Sequence, residues 1–180
     1  NANFTLIQPP PDDQVVIDYS DKSRGDAPFQ VEELEQVSFS FRNQIAAETN
    51  YLTLFTQGLV GYFEDDLDQS IASFDRALEA VKELEDKPEL YPSYYYKGNA
   101  YLYLENYEQA ISSYNEVVSI DPTVKGVLLN RGVALARLEG KEQEALQDIN
   151  AFIESYPDEI KGHLNQGLIY ILLENYTSAI

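Results

Sequence analysis

The side chains that most often carry out catalysis are scarce in this sequence. Its 180 residues include one histidine, His163, and no cysteine, which excludes disulfides, thiol catalysis and zinc–thiolate sites. Carboxylates are abundant, but their densest group, at residues 64–68, lacks the glycine and the later glutamate of a calcium loop. Gly58 and Gly61 are not followed by the lysine of a phosphate-binding loop. We therefore predict a non-enzyme with no metal site and no cofactor, and we expect His163 to have a packing role.

The charge balance restricts the class of partner. Lysine and arginine total 12 against 31 aspartates and glutamates, so the formal net charge is −19. Charge of this sign repels the phosphates of nucleic acids and anionic membrane surfaces, and it favours basic or neutral partners. No run of apolar residues reaches the ~18 that span a membrane. We expect a protein or peptide partner, no nucleic acid and no insertion into a membrane; the absence of cysteine leaves the compartment open.

Small and large residues recur along most of the chain. Four glycines are separated by 40, 34 and 35 residues, and a proline lies 10 residues before each of the last three. A small residue lies 12 or 13 positions after each glycine. In three of the four repeats, a large residue lies four positions after that small residue. The residues of these sets are Gly58, Gly98, Gly132 and Gly167; Pro88, Pro122 and Pro157; Ser70, Ala110, Ala145 and Ala179; and Phe74, Tyr114 and Ile149.

On these residues the sequence resembles the tetratricopeptide repeat family, in which ~34 residues form a helix, a turn and a second helix. The second unit matches this pattern at Tyr94, Gly98, Tyr101, Tyr107, Ala110, Tyr114 and Pro122. The resemblance covers residues 49–180 and implies an all-α, right-handed superhelical solenoid of antiparallel helix pairs. The slot before each glycine, which is usually apolar in the family, departs from the pattern: it holds Gln57, Lys97, Arg131 and Gln166.

Elementary packing arguments support helical hairpins independently of the resemblance. Gly98 has no Cβ, so a neighbouring helix can approach closely, and Ala110 plays the same part in the second helix. Asp121 precedes a proline and is expected to end its helix. Six extra residues in the first unit, around 81–85, predict a longer second helix there. The one-residue insertion of the third unit is expected in the turn at 138–144.

We predict three segments along the chain. Residues 1–27, with prolines at 9–11, are expected to be extended or partly ordered. Residues 28–48 are predicted to form a capping helix, with Val31, Leu34, Val37, Phe41 and Ile45 on one face. Residues 49–180 are predicted to form the solenoid, in units of about 51–90, 91–124, 125–159 and 160–180. The chain lacks methionine and stops inside the last unit, so we expect it to be a piece of a longer or processed protein.

In the family, the first helix of each hairpin lines a concave groove, so the resemblance implies a partner-binding surface. Some members grip a terminal carboxylate with lysine and asparagine; Asn99, Asn130 and Lys161 match those slots, whereas Tyr95 and Asn165 replace basic residues. A groove of tyrosine, leucine and asparagine better suits a peptide with apolar anchors. The predicted groove residues are Phe55, Leu59, Tyr95, Asn99, Tyr103, Asn130, Val133, Arg137, Lys161 and Asn165.

Tyrosine is unusually frequent, with 14 residues. Tyr91, Tyr94, Tyr95 and Tyr96 cannot all point inward on one helix, so either some lie exposed near the groove or the core is rich in aromatic rings. Our first hypothesis is a scaffold that binds a protein segment in its groove. The alternatives are an accessory domain of a larger enzyme or signalling protein, and a module that self-associates through its open C-terminal repeat.

Overall fold

The computed structural model describes residues 31–173, with the side chains of residues 31–38 and 41 outside the description. The predicted extended segment over 1–27 lies outside these residues, as do positions 174–180. The chain divides into two parts, residues 1–38 and residues 39–180, and the packing described below is that of residues 39–180. The described residues form seven α-helices and no strand, which confirms the all-α class. They are α1 Val31–Phe63, α2 Leu67–Ala80, α3 Tyr91–Tyr103, α4 Tyr107–Ile120, α5 Val127–Leu135, α6 Glu142–Ser155 and α7 Ile160–Leu172.

Helix α1 is one continuous helix of 33 residues. The predicted division between a capping helix and the first repeat, at residue 48, therefore falls inside a single element. No proline or glycine occurs between residues 31 and 57, so nothing local breaks the helix there. A hydrogen bond from Gln44 Nε2 to Glu48 Oε1, at 3.0 Å, links two side chains one turn apart in this region. The assignment of residues to segments stays a prediction.

Two of the three described hairpins have short turns of the same length. Three residues join α1 to α2 and α3 to α4, whereas six join α5 to α6, which places the insertion of the third unit in the predicted turn. In the two short turns Asp65 and Glu105 take left-handed backbone angles, with φ of 64° and 59°. The backbone N–H groups of Asp66 and Asn106 then donate hydrogen bonds to the backbone carbonyls of residues 61 and 101, both at 2.9 Å.

Helix α2 is 14 residues long, the same length as α4 and α6, so the predicted longer helix is wrong. It ends at Ala80, and Val81 leaves helical geometry with φ −117° and ψ 7°. Continuing the helix would gather the acidic residues at 83, 85 and 86 at its C-terminus, where the helix dipole disfavours negative charge. The extra residues form a loop instead. Val81 anchors this loop in the core, and Tyr51 Oη donates a hydrogen bond to the Glu89 carbonyl at 3.1 Å.

A glycine interlocks with a large buried side chain in each hairpin. A Cβ built on Gly58 would lie 2.5 Å from the ring of Phe74, and one on Gly98 would lie 2.7 Å from the ring of Tyr114. Phe74 and Tyr114 are both fully buried. In the third hairpin, a Cβ built on Gly132 would lie 2.9 Å from the side chain of Ile149. The predicted close approach at the glycines is confirmed, and it fixes the separation of the paired helices.

The polar residue before each of the last three repeat glycines joins one hairpin to the next. Lys97 pairs with Asp75, Arg131 Nη1 donates to Asn115 Oδ1 at 2.9 Å, and Gln166 Nε2 donates to Asn150 Oδ1 at 2.7 Å. Each acceptor lies directly after the large residue of the preceding hairpin, at positions 74, 114 and 149. These departures from the family pattern are therefore a repeated set of contacts between successive hairpins.

Candidate functional site

A surface cleft of about 580 Å³ lies within residues 39–180. Helix α3 forms most of one wall, and the N-terminal parts of α5 and α7 form the other. The cleft is lined by Tyr62, Tyr95, Asn99, Leu102, Tyr103, Lys125, Gly126, Leu129, Asn130, Phe152, Glu159 and Lys161. Its lining mixes aromatic rings, amides and a few charges, which is a composition for recognising a polypeptide.

The floor of the cleft is a network of neutral polar groups. Tyr114 Oη donates to Asn99 Oδ1 at 2.7 Å, and Asn130 Nδ2 donates to the same oxygen at 2.9 Å. Asn130 Nδ2 also lies 3.4 Å from Tyr95 Oη. Asn99 is only 8% exposed, and burial raises the pKa of both Tyr95 and Tyr114. Both hydroxyls therefore stay neutral at ordinary pH, where Tyr114 donates to Asn99 and Tyr95 accepts from Asn130, and these bonds hold the two amides in fixed orientations.

One edge of the cleft carries positive charge and is built from the N-terminal ends of α5 and α7. Lys125 and Gly126 directly precede α5, and Lys161 lies in the first turn of α7. Lys125 Nζ lies 2.6 Å from Glu159 Oε1 and 5.1 Å from the centre of the Tyr156 ring. The hydrogen bond from Lys125 lowers the pKa of the Glu159 carboxyl. Lys161 also lines the cleft, and it makes no ion pair within the described residues.

The opposite edge is aromatic and lies where α1 and α3 end. The centre of the Tyr62 ring is 5.4 Å from that of Tyr96 and 6.0 Å from that of Tyr103. Phe63 joins the group, 5.4 Å from Tyr62 and 6.4 Å from Tyr96. Burial, followed by the neighbouring tyrosines, raises the pKa of Tyr62. Phe63 and Tyr103 are 74% and 70% exposed, so these rings present open faces to a partner.

Half of the ten predicted groove residues line the cleft. These are Tyr95, Asn99, Tyr103, Asn130 and Lys161. Asn99 is more buried than we expected, because Tyr114 and Asn130 both bond to it. The role of these five residues in binding stays a prediction.

The other five predicted residues lie outside the cleft lining. Phe55 stacks on Tyr51 at 6.0 Å and belongs to the core of the first hairpin. Leu59 and Val133 are half-buried, and Arg137 is exposed beyond the cleft. Asn165 Nδ2 donates to the Lys161 carbonyl of its own helix at 2.8 Å, which occupies the amide donor.

Several cleft residues were not predicted. Tyr62 lies four positions after its glycine, the same slot as Leu102, and this repeat equivalence is the signal that identifies it. Lys125 and Glu159 lie in or beside the loops between hairpins, where helical spacing gives no guidance. Phe152 reaches the cleft from α6, a second helix of a hairpin, which the expectation of a lining made of first helices alone had excluded.

His163 does not pack in the core as predicted. It is exposed on α7, and its Nε2 lies 2.7 Å from the Pro157 carbonyl in the preceding loop. That polar partner outside the core explains why the imidazole turns outward, since burial would cost its hydration. Over residues 31–173, no three metal-ligating side chains group together. No helix in that range has the length and apolarity to cross a membrane.

Comparison with known proteins places the sequence beside helical-repeat proteins. Family models described as tetratricopeptide repeat match residues 91–124 and 127–159. The chain is 29% identical over 115 residues to an Hsp70-Hsp90 organizing protein of Triticum aestivum, covering 62% of this chain and 20% of that protein. It is 36% identical over 84 residues to the mitochondrial import receptor subunit TOM70 of Homo sapiens, covering 44% and 14%. The chain thus spans a fifth or less of these two relatives.

Solved structures share the arrangement of helices. The first TPR of Spaghetti (RPAP3), bound to the HSP90 peptide SRMEEVD, superposes with a TM-score of 0.62 at 20% identity, over 71% of this chain and 95% of that one. YrrB, a TPR protein with an unusual peptide-binding site, superposes with a TM-score of 0.64 at 20% identity, over 83% and 79%. At this identity the likeness shows the fold.

Proposed function

This chain is a member of the tetratricopeptide repeat family, and from that premise we propose that it is a protein-interaction scaffold whose cleft binds a segment of another protein. The observation that carries the proposal is the cleft of about 580 Å³, lined from several helices by tyrosine rings, asparagine amides and two lysines. Its volume lies within the range of ~300–1,000 Å³ typical of ligand sites, which suits a few residues of extended chain.

The lining favours apolar anchors over a grip on a terminal carboxylate. The amide nitrogen of Asn130 donates to the amide oxygen of Asn99, so these two side chains have fewer free groups with which to bind a carboxylate. Lys125 is already paired with Glu159. The tyrosines offer large, rigid surfaces with hydroxyl tips, which bind a partner at low entropic cost. The HSP90 peptide held by the RPAP3 domain supports peptide binding by this fold in general, while the details of this lining support a different sequence preference.

The proposal is tested by removing two cleft side chains that are exposed and are not part of the hydrophobic core. Tyr103→Ser with Lys161→Ala changes exposed residues on the two edges of the cleft. Ile120→Ser with Lys141→Ala is a matched control, because it removes one exposed apolar and one basic side chain outside the cleft. We expect a pull-down from the organism that makes the protein to yield a partner that the control retains and the cleft variant loses. A partner held equally by all three proteins would refute binding in the cleft.

A second candidate role is that of an accessory domain within a larger protein. The two relatives named above are longer proteins, of which the chain covers 20% and 14%. The gene sequence on either side of this chain tests it, since a catalytic or membrane-spanning segment there would support this role.

Self-association is a third candidate, favoured by the exposed leucines of α7. Leu164, Leu168 and Leu172 are spaced four residues apart and lie largely exposed. Sedimentation across a dilution series tests it, and a molecular mass that stays at one chain at every concentration would reject it.

A further inference from the structure

The aromatic edge is a cluster of neighbouring rings, of which Tyr62 and Tyr103 line the cleft and Phe63 and Tyr96 lie beside it. Planes of neighbouring rings are steeply inclined, at 83° for Tyr62 and Phe63 and 69° for Tyr62 and Tyr96. Phe63 and Tyr103 are the last residues of α1 and α3, and both lie five positions after the glycine of their repeat. Ring faces carry the negative part of the aromatic quadrupole, so an exposed cluster attracts cations as well as apolar groups.

Negative charge surrounds these rings. Helices α1 and α3 both end at this edge, and a helix C-terminus carries about half a negative elementary charge. Neither helix has a basic residue in its last turn to offset that charge. The turns that follow the two helices add Glu64, Asp65, Asp66 and Glu105, all of them exposed. Lys97, the basic residue of α3, is already paired with Asp75.

The charge reverses elsewhere around the cleft, which confines this feature to the first two hairpins. In the third hairpin the slot five positions after the glycine holds Arg137 in place of an aromatic ring. The opposite edge, at the N-terminal ends of α5 and α7, carries the Lys125–Glu159 ion pair and Lys161, whose positive charge is the one left uncompensated there. A segment lying across the cleft therefore meets a cationic edge on one side and an anionic, aromatic edge on the other.

We propose that the aromatic edge is a subsite for an arginine or lysine side chain of the bound segment, with the cation lying on the exposed faces of Phe63 and Tyr103. The proposal rests on the proposed function and specifies the chemistry of the partner, a segment with a basic residue. Charge complementarity selects this occupant, because the acidic turns and helix C-termini repel a carboxylate and stabilise a cation. Arginine fits best, since its planar guanidinium stacks on rings while its edge donates to the carboxylates of the turns.

The test starts from a peptide-display selection on the whole 180-residue chain. The enriched sequence is then synthesised with arginine and with citrulline, which keeps the shape of the side chain but removes its charge. Dissociation constants of both peptides are measured by fluorescence anisotropy for the wild type and for Phe63→Leu with Tyr103→Leu. Both residues are largely exposed, and leucine keeps apolar area while removing the ring face. Phe39→Leu is the matched control, because its ring is 64% exposed on α1 but is not one of the four rings of the aromatic edge.

We expect enriched peptides to carry a basic residue. We also expect the double variant to bind the arginine peptide about 5- to 30-fold more weakly, as loss of a partly desolvated cation–π contact implies. Citrulline should weaken binding to the wild type by a similar factor, and Phe39→Leu should change nothing. Peptides that bind and depend on Tyr95 and Asn130 but tolerate citrulline would overturn this subsite and leave the proposed function standing. A selection that enriches no peptide would overturn both.

Discussion

Replacing Arg131 with methionine tests the polar contacts that hold the third hairpin together and join it to the second. The guanidinium joins three helices: Nε and Nη2 donate to the two carboxylate oxygens of Asp148, both at 2.7 Å, and Nη1 donates to Asn115. The side chains of Arg131 and Asp148 are 20% and 11% exposed, so the pair is mostly removed from water. Methionine keeps much of the length of the stem but leaves the carboxylate of Asp148 buried without its partner.

We expect Arg131→Met to lower the free energy of unfolding by about 2–4 kcal/mol. Breaking a fully buried pair costs about 3–5 kcal/mol, and the partial exposure of this one lets water hydrate the abandoned carboxylate. Arg131→Lys should cost less, about 1–2 kcal/mol, because it keeps the charge but not the two parallel bonds. Adding Asp148→Leu to Arg131→Met should recover part of the loss, since no charge is then left unpaired.

The assay is urea unfolding followed by circular dichroism at 222 nm, with all four combinations of the two changes compared as a double-mutant cycle. The dependence of free energy on urea is checked in each variant, because repeat proteins can unfold in parts. A loss below about 0.5 kcal/mol for Arg131→Met, or a double variant as unstable as the sum of the single ones, would refute the reasoning.

Three further predictions concern the core, a turn and the tyrosines. Gly98→Ala should destabilise the chain by about 1–3 kcal/mol in the same assay although alanine favours helix, because its Cβ would lie 2.7 Å from the buried ring of Tyr114; equal or higher stability would show that the ring can move. Glu105→Gly should raise the free energy of unfolding by about 0.5–1 kcal/mol, because glycine adopts φ 59° without strain; a loss would mean that the carboxylate itself stabilises the turn. Burial raises the pKa of Tyr51, Tyr95 and Tyr114 in the folded chain, so the unfolded chain ionises first, at about pH 10. Stability should therefore be full below that pH and fall as pH rises above it, and a urea midpoint unchanged between pH 8 and 11 would contradict this.

Much of the fold follows from spacing along the chain. The pairing of Gly58 with Phe74 and of Gly98 with Tyr114 depends on residues 16 apart within one hairpin. Size complementarity at that distance is set by helix geometry and a short turn, so the sequence alone predicts it. The end of α4 before Pro122 is equally local, because proline cannot continue a helix.

The length of α2 shows where local reasoning fails. The apolar pattern at 81–85 is compatible with helix, but α2 ends at Ala80 and the loop that follows is held by the buried Val81 and by the hydrogen bond from Tyr51 to the Glu89 carbonyl. His163 is a similar case: its slot in the repeat suggests a core residue, whereas the nearby Pro157 carbonyl offers a polar partner outside the core. Both outcomes depend on contacts that spacing within one helix does not describe.

The candidate site divides in the same way. The resemblance to the family and the repeat register predicted ten residues on one surface, because equivalent positions of stacked hairpins face the same side, and five of them line the cleft: Tyr95, Asn99, Tyr103, Asn130 and Lys161. Tertiary structure alone decided that Asn99 is tied to Tyr114 and Asn130, and that Lys125 pairs with Glu159 across 34 positions. The physical reason is that helical periodicity fixes which face a residue occupies, whereas the packing of one hairpin on the next fixes which neighbour it meets there.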